Sequence, residues 1–464
     1  MTVSWQDDPG APPDRDGAAR WADVRVLDVR LRFRHVPFST PLVLSSGPIT
    51  ELTEVVVEVD VCNRRGDVAT GCGSVLLSHP WIWGHAPSDP GQDTPAARDA
   101  VLRDVVDGLR TALLAVDEPA DPLRLGTWLA VAAERELGRI RRERGLTHPV
   151  PRLAGPICAG PFDTALHDAW GRAAGGSAYP RYTAEYLGAD LATYLGPAFA
   201  GYHPADFLRT TPRPRLSVQH VVGVDDPLGP EEATDGRMPL TEWIARDGVR
   251  WLKLKLAGRD PEADARRIRD VHRVATAALA ERGVDPRRLR LSLDPNEAYS
   301  EPGELHAVLH RLTRHAPAAR DAVVYAEQPF PRSTRARTAA LAEVTDDLPV
   351  LADESLVWAA ELDDLAAAGW SGVAVKAARG HTQALLAYCW ARRHGRFTAV
   401  QDLTSVGHAL LHSAALASWL DCSVPAFECN SRQYAPAGNT GPAGRLVVRE
   451  GEIELGELPG KGVL

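Results

Sequence analysis

"LRLSLDPNEAYSEPGELHAVLHRLTRHAPAARDAVVYAEQPF", residues 289–330, holds two short, mostly apolar runs with a helical stretch between them. Each run ends in one acid, Asp294 in the first and Glu327 in the second. From about residue 215 the same unit recurs, as "RLSVQHVVGV", "VRWLKLK", "LRLSLD", "AVVYAE", "LPVLAD", "GVAVK", "FTAVQD" and "VPAFE". From the second run on, the ends fall at Lys255, Asp294, Glu327, Asp353, Lys376, Asp402 and Glu428, giving successive gaps of 39, 33, 26, 23, 26 and 26 residues. Segments such as "PEADARRIRDVHRVATAALAE" and "HTQALLAYCWARR" lie between them with helical periodicity. Eight strands alternating with helices at this spacing predict an α/β fold of the (β/α)8 TIM-barrel type, whose covered strands read as apolar runs. The polar residue closing each run then stands at the barrel mouth, where such folds keep their active sites.

Three consecutive strand ends are acids: Asp294, Glu327 and Asp353. Neighbouring strands lie about 4.8 Å apart, so three carboxylates converge there and repel unless a cation joins them. An all-oxygen set, without His or Cys, predicts a hard divalent ion: Mg2+, with Mn2+ as a substitute. The bland alternative is three acids that cap helices or pair with arginines.

In "GVRWLKLKLAG", residues 248–258, Lys253 and Lys255 share one face of the second strand, and Lys376 ends the sixth. Cationic neighbours and a metal depress a lysine's pKa, so Lys255 and Lys376 become candidate bases on either side of the acids. Two amines flanking a carboxylate substrate can remove and return the proton α to it. Taken alone, "LKLK" also suits a solvent-facing hairpin.

Other strand ends give further candidates. Gln219 and His220 close the first strand, where one of them is placed to meet substrate; Asp402 and Glu428 close the seventh and eighth, and at least one is expected to read a polar or cationic substrate group. His408 and His412 are one helical turn apart, but lack the Glu of a zinc-protease helix and are assigned to packing.

The chain has 464 residues, 44% hydrophobic and 24% charged, with net charge -9 and pI near 5.9. That balance argues against nucleic-acid or anionic-membrane partners. No apolar stretch approaches the roughly 18 residues of a membrane span. Residues 1–23 are polar and proline-rich, which predicts a disordered leader and not a secretory signal. Six cysteines without CxxC spacing read as reduced thiols of a cytoplasmic protein. Residues 24–145 begin with alternating strands around an "NRRGD" turn and continue as helix over 97–145. "PFSTPLVLSSGPIT" and "HPWIWGHAPSDPGQD", the latter carrying Trp81 and Trp83, read as loops. Residues 146–214 supply connecting helices, among them "GPFDTALHDAWGRAAGG", and an insertion at 175–213; the barrel spans 215–439.

The ordered set "KLK", "DPN", "EQP", "ADES" and "VAVKAARG" resembles the enolase superfamily, in its muconate-lactonizing branch. "FDTALHDAWGRAAG" is similar to the helix leading into that family's barrel, and "GEIELGELPGKGV" to its ending. The resemblance implies a capping domain, 24–145 completed by about 440–464, with the Ser39–Ile49 and Trp81–Trp83 loops reaching onto substrate. It implies Mg2+ on Asp294, Glu327 and Asp353, and Lys255 and Lys376 as the acid/base pair. Lys253 would hold the substrate carboxylate and tune Lys255. Glu354, next to Asp353 but on the other face of its strand, would stand behind the metal or, as the alternative, ligate it in place of Asp353. Asn296, two after Asp294, would hydrogen-bond near the metal. A seventh strand ending "AVQDLT" departs from the mandelate-racemase branch, and "FECNSRQY" lacks the Asp-x-Asp of dipeptide epimerases.

The expected activity is Mg2+-dependent α-proton abstraction through an enediolate, as racemisation or epimerisation of a small carboxylate, in a homo-oligomer. Cycloisomerisation or dehydration by β-elimination shares that intermediate and stays open. A metal-dependent hydrolase and a non-catalytic barrel are the remote alternatives.

Overall fold

The structure, a computed structural model, describes residues 20–89, 93–234, 236–333, 341, 344–456 and 460–464. The leader expected over 1–23 therefore lies, up to residue 19, outside the described residues.

The chain opens with an antiparallel sheet of β1 (Val24–Leu44), β2 (Gly47–Asn63) and β3 (Val68–Leu76), in that order. Residues 37–50, expected as a loop, instead extend the β1–β2 hairpin, with a register shift between Pro37 and Leu42. The shift absorbs a stretch that Pro and Ser would otherwise exclude from a ladder. The stretch expected to be helical over 97–145 forms two helices, α2 (Pro95–Leu114) and α3 (Pro122–Glu143). Asp121 caps the second by accepting from the Leu123 and Arg124 amides. The Trp81 segment is a single helical turn, α1 (His79–Trp83).

Helix α4 (Ala154–Ala173), buried along almost its whole length, lies under the cap sheet. Glycine allows the approach: a Cβ on Gly71 or Gly73 would stand 2.1 Å from the carbonyl oxygen of Ala165 or Pro161.

The expected barrel is present. Eight parallel strands run in chain order, β4 (Arg215–Val222), β5 (Trp251–Lys255), β6 (Arg290–Asp294), β7 (Val323–Glu327), β8 (Val350–Ala352), β9 (Gly372–Val375), β10 (Phe397–Val400) and β11 (Ala426–Glu428). Pairing of β11 with β4 closes the ring.

The C-terminal segment, expected to complete the cap, touches both the barrel and the helix under the cap sheet. Its hairpin, β12 (Val448–Arg449) and β13 (Glu452–Glu454), pairs antiparallel with barrel strand β4. The last residues then dock on α4, where the Val463 amide donates to Asp168. Among the described residues, no helix is long and apolar enough to cross a membrane.

A buried histidine cluster joins α4 to the barrel. His381 Nδ1 and His412 Nε2 are 2.7 Å apart, and His167 contacts Tyr182 at 2.7 Å and Thr382 at 2.8 Å. His408, by contrast, is exposed, so the i, i+4 pair forms no site. Burial, with help from His167, pushes His412 down to about 3. A folded pKa below the unfolded value of about 6.5 means full stability above that pH and progressive loss as pH falls toward 3. The melting temperature is expected to decline between pH 6.5 and 5, and to decline less steeply in His412→Gln. An equal slope in the variant would place the proton uptake elsewhere.

Candidate active site

Alternation along β5 turns Lys253 and Lys255 into the barrel and Leu252 and Leu254 outward. The register sets Lys255 beside Asp294 and Lys253 beside Ser292. Lys253 Nζ sits in a cage of acceptors: Glu327 Oε1 at 2.8 Å, Glu428 Oε2 and Gln401 Oε1 at 2.9 Å, and Asp294 Oδ2 at 3.0 Å. Burial disfavours its charge, but Asp294, Glu327 and Glu428 outweigh that and raise its pKa well above the ordinary value. Lys253 is therefore a fixed ammonium.

Lys255 donates to Asp294 at 2.5 Å and to Asn296 Oδ1 at 2.9 Å. Across the mouth, Lys376 donates to Asp353 Oδ2 at 2.5 Å, and Arg379 reaches Asp353 Oδ1 at 2.6 Å. Burial opposes ionisation of Asp353, yet Lys376 and Arg379 prevail and hold it well below the usual carboxylate range. The same acid, with Glu327, overcomes desolvation of Lys376 and raises its pKa. For Lys376 the depressed pKa expected from sequence is thus not what these neighbours produce: the carboxylates beside it favour its charged form.

Asn296 donates from Nδ2 to Glu354 Oε1 at 3.1 Å, so Glu354, expected on the far face, is tied to the site through Asn296. The Oε2 atoms of Glu327 and Glu354 are buried and, among the described residues, have no hydrogen-bond donor. Burial, above all, pushes both carboxyls up to about 8. Two orphaned carboxyl oxygens beside Asp294 and Asp353, which a bound cation would hold ionised, fit a hard cation in donor chemistry. As they stand, no three His, Cys, Asp or Glu side chains among the described residues close on one metal position, because ammonium groups bridge the acids.

Below Lys253 lies a polar floor. Gln401 donates to Tyr325 Oη at 2.7 Å, Tyr325 donates to Gln219 Oε1 at 3.2 Å, and Gln219 donates to Ser292 at 2.9 Å. Gln219 thus belongs to the barrel interior. His220 faces outward, against Arg432 at 2.7 Å and the Trp243 ring, and does not reach the mouth.

At least one of Asp402 and Glu428 was expected to read substrate; both are engaged with groups of the protein itself. Asp402 accepts from the amides of Leu403, Ser405 and Asn430. Glu428 accepts from Lys253 and Asn430. In the seventh strand the inward residue is Gln401: Ala399 faces the interior cluster and side chains alternate, so the acid after Gln401 turns away. Gln401 and Arg379 are the site residues that reading the last polar residue of each run missed; strict alternation identifies the first.

Of the two cap tryptophans, Trp81 stands over Lys376 with 4.7 Å from Nζ to the ring centroid. Trp83 packs inside the cap against Arg98 and is not part of the mouth. From the other cap hairpin, Ser45 donates to the Asn296 carbonyl at 2.8 Å.

With this geometry in place, the comparisons with known proteins are decisive for the barrel: residues 239–464 match the model of the enolase C-terminal domain-like family. Those residues belong to that family. No curated protein sequence matches the chain. Among solved structures, the L-Ala-D/L-Glu epimerase of Bacillus subtilis superposes with TM-score 0.61 at 18% identity, covering 95% of this chain and 98% of that one. The 2-chloromuconate cycloisomerase of Rhodococcus opacus gives TM-score 0.58 at 19% identity, covering 95% and 96%. A dipeptide epimerase from Methylococcus capsulatus, complexed with Mg and L-Arg-D-Lys, gives 0.59 at 20%, covering 95% and 99%. The resemblance read from "KLK", "DPN", "EQP" and "ADES" is borne out, and these structures share the cap-plus-barrel fold over 95% of the chain.

Proposed function

We propose that the protein is an isomerase that abstracts the proton α to the carboxylate of a small-molecule substrate, most simply to racemise or epimerise that centre. The observation that carries this reading is the placement of Lys255 and Lys376. They come from the second and sixth of eight barrel strands, so they stand opposite each other across the ring, each on an acid of the same cluster. A proton leaving to one amine can be replaced from the other, which inverts the carbon. The neighbouring relatives named as epimerases and a cycloisomerase are consistent with chemistry of this class.

Asp294, Glu327 and Asp353 would hold Mg2+, which supplies charge stabilisation for the enediolate when bound. Lys253, locked as an ammonium, holds positive charge at the floor of the site throughout. Trp81 roofs Lys376 and keeps water from it. The acids pair with lysines in this arrangement, so ion binding requires the ammonium groups to yield carboxylate oxygens.

The test is incubation with Mg2+ and a set of chiral α-substituted acids in deuterated water, followed by NMR. Loss of the α-proton signal together with formation of the opposite enantiomer supports the reading. Ring closure or a new alkene in place of inversion would transfer the assignment to cycloisomerase or dehydratase. Absence of exchange across the set, with metal bound, would remove it.

A further inference from the structure

The turn after β6 is strained. Asn296 and Glu297 adopt φ of 45° and 67°, left-handed values that cost a non-glycine residue energy. Such a conformation persists only where its surroundings hold it, and here the partners are identifiable. The Glu297 amide donates to the Gln328 carbonyl at 2.8 Å. The buried Glu297 carboxylate accepts from the Arg332 amide at 2.7 Å and from its Nε at 2.8 Å. The same guanidinium donates to the carbonyls of Ile82 at 2.9 Å and Trp81 at 3.3 Å, which belong to the cap. Gly84, ending that helical turn at φ 50°, leaves room for the pair: a Cβ there would stand 3.0 Å from Arg332 Nη2 and 3.2 Å from Glu297 Oε2.

One turn therefore carries three duties. Asn296 accepts from Lys255 and donates to Glu354; its carbonyl takes Ser45 from the first cap hairpin; and Glu297 holds the arginine that grips α1. We propose that Glu297 and Arg332 are positioning residues, a latch that seats Trp81 over Lys376 and at once fixes Asn296 against Lys255. Cap seating and base placement are then a single event, since the turn cannot relax on one side without releasing the other. The consequence for catalysis rests on the proposed roles of the two lysines, whereas the latch does not.

The experiment uses the full chain without substrate or added metal. Hydrogen–deuterium exchange is followed by mass spectrometry over residues 79–86, with near-UV circular dichroism alongside; Trp81→Phe defines the band belonging to the indole over Lys376. Arg332→Met and Glu297→Ala are each expected to raise exchange over 79–86 by about tenfold or more, with protection in the barrel strands unchanged. Each should also erase the Trp81 band. Arg332→Lys keeps the charge on Glu297 but cannot also span both carbonyls, so it should fall between wild type and Arg332→Met; it decides the matter if the other two do not fold. Wild-type exchange and an intact Trp81 band in folded variants would overturn the latch. Because neither readout involves turnover, that failure would leave the reaction reading standing, and a wild-type protein that exchanges no α-proton would leave the latch standing.

Discussion

Lys376→Ala is expected to lower interconversion of substrate enantiomers by about 10^3-fold or more, while solvent exchange at the α-carbon survives for one enantiomer alone. Lys255→Ala should show the mirror result, with exchange surviving only for the other. The asymmetry follows from the ring: the two strands are four apart among eight, so each amine faces one side of whatever lies between them. Removing one amine abolishes inversion, which needs both, but leaves the remaining amine able to take and return a proton on its own face. Enantiomer-resolved exchange in deuterated water reads this directly. If both variants lose exchange for the same enantiomer only, a single base operates, and elimination or cycloisomerisation becomes the better assignment. If neither changes, the lysines are not the bases.

Much of this site is legible in the sequence because strand ends and barrel geometry are linked. A run's last inward residue must stand at the mouth, so Lys255, Asp294, Glu327, Asp353 and Lys376 follow from spacing and period. The period, applied too loosely, misplaced others. Asp402 ends its run but lies one residue past the inward position, and its carboxylate caps a loop while Gln401 meets Lys253. His220 fails for the same reason of parity. What sequence could not give is the tertiary match between distant loops. Nothing local in "HPWIWG" tells Trp81 from Trp83; the difference is which ring the cap turns toward Lys376 and which toward Arg98. Nor does "FPR" announce that Arg332 bridges a barrel turn to the cap, because that contact spans about 250 residues of chain. The charge states also escaped the sequence reading, which foresaw amines depressed by cations, whereas in the structure the acids are the lysines' immediate partners.

Lys253→Met is expected to destabilise the protein by about 3–5 kcal/mol, the usual result of removing one partner from a buried ion pair and leaving the other uncompensated. Lys253 Nζ touches Asp294, Glu327 and Glu428, all buried, and no second ammonium reaches Glu428 among the described residues. Without it Asp294 keeps Lys255, but Glu327 and Glu428 are left buried beside it without that ammonium, and the cluster relieves the repulsion by taking up protons, to which Glu327 is already inclined, or by unfolding. Denaturant titration at neutral pH measures the loss. The double variant Lys253→Met/Glu428→Gln removes a charge with the ammonium and should recover a substantial part of it, whereas Glu428→Gln in the presence of Lys253 should cost much less than Lys253→Met. Added Mg2+ provides an independent check, since a cation that engages Asp294 and Glu327 should raise the melting temperature of Lys253→Met by more than that of the wild type. An unchanged denaturation midpoint in Lys253→Met would mean that the acids are not charged in the folded protein, and with that the description of Lys253 as the counter-ion of the barrel floor fails.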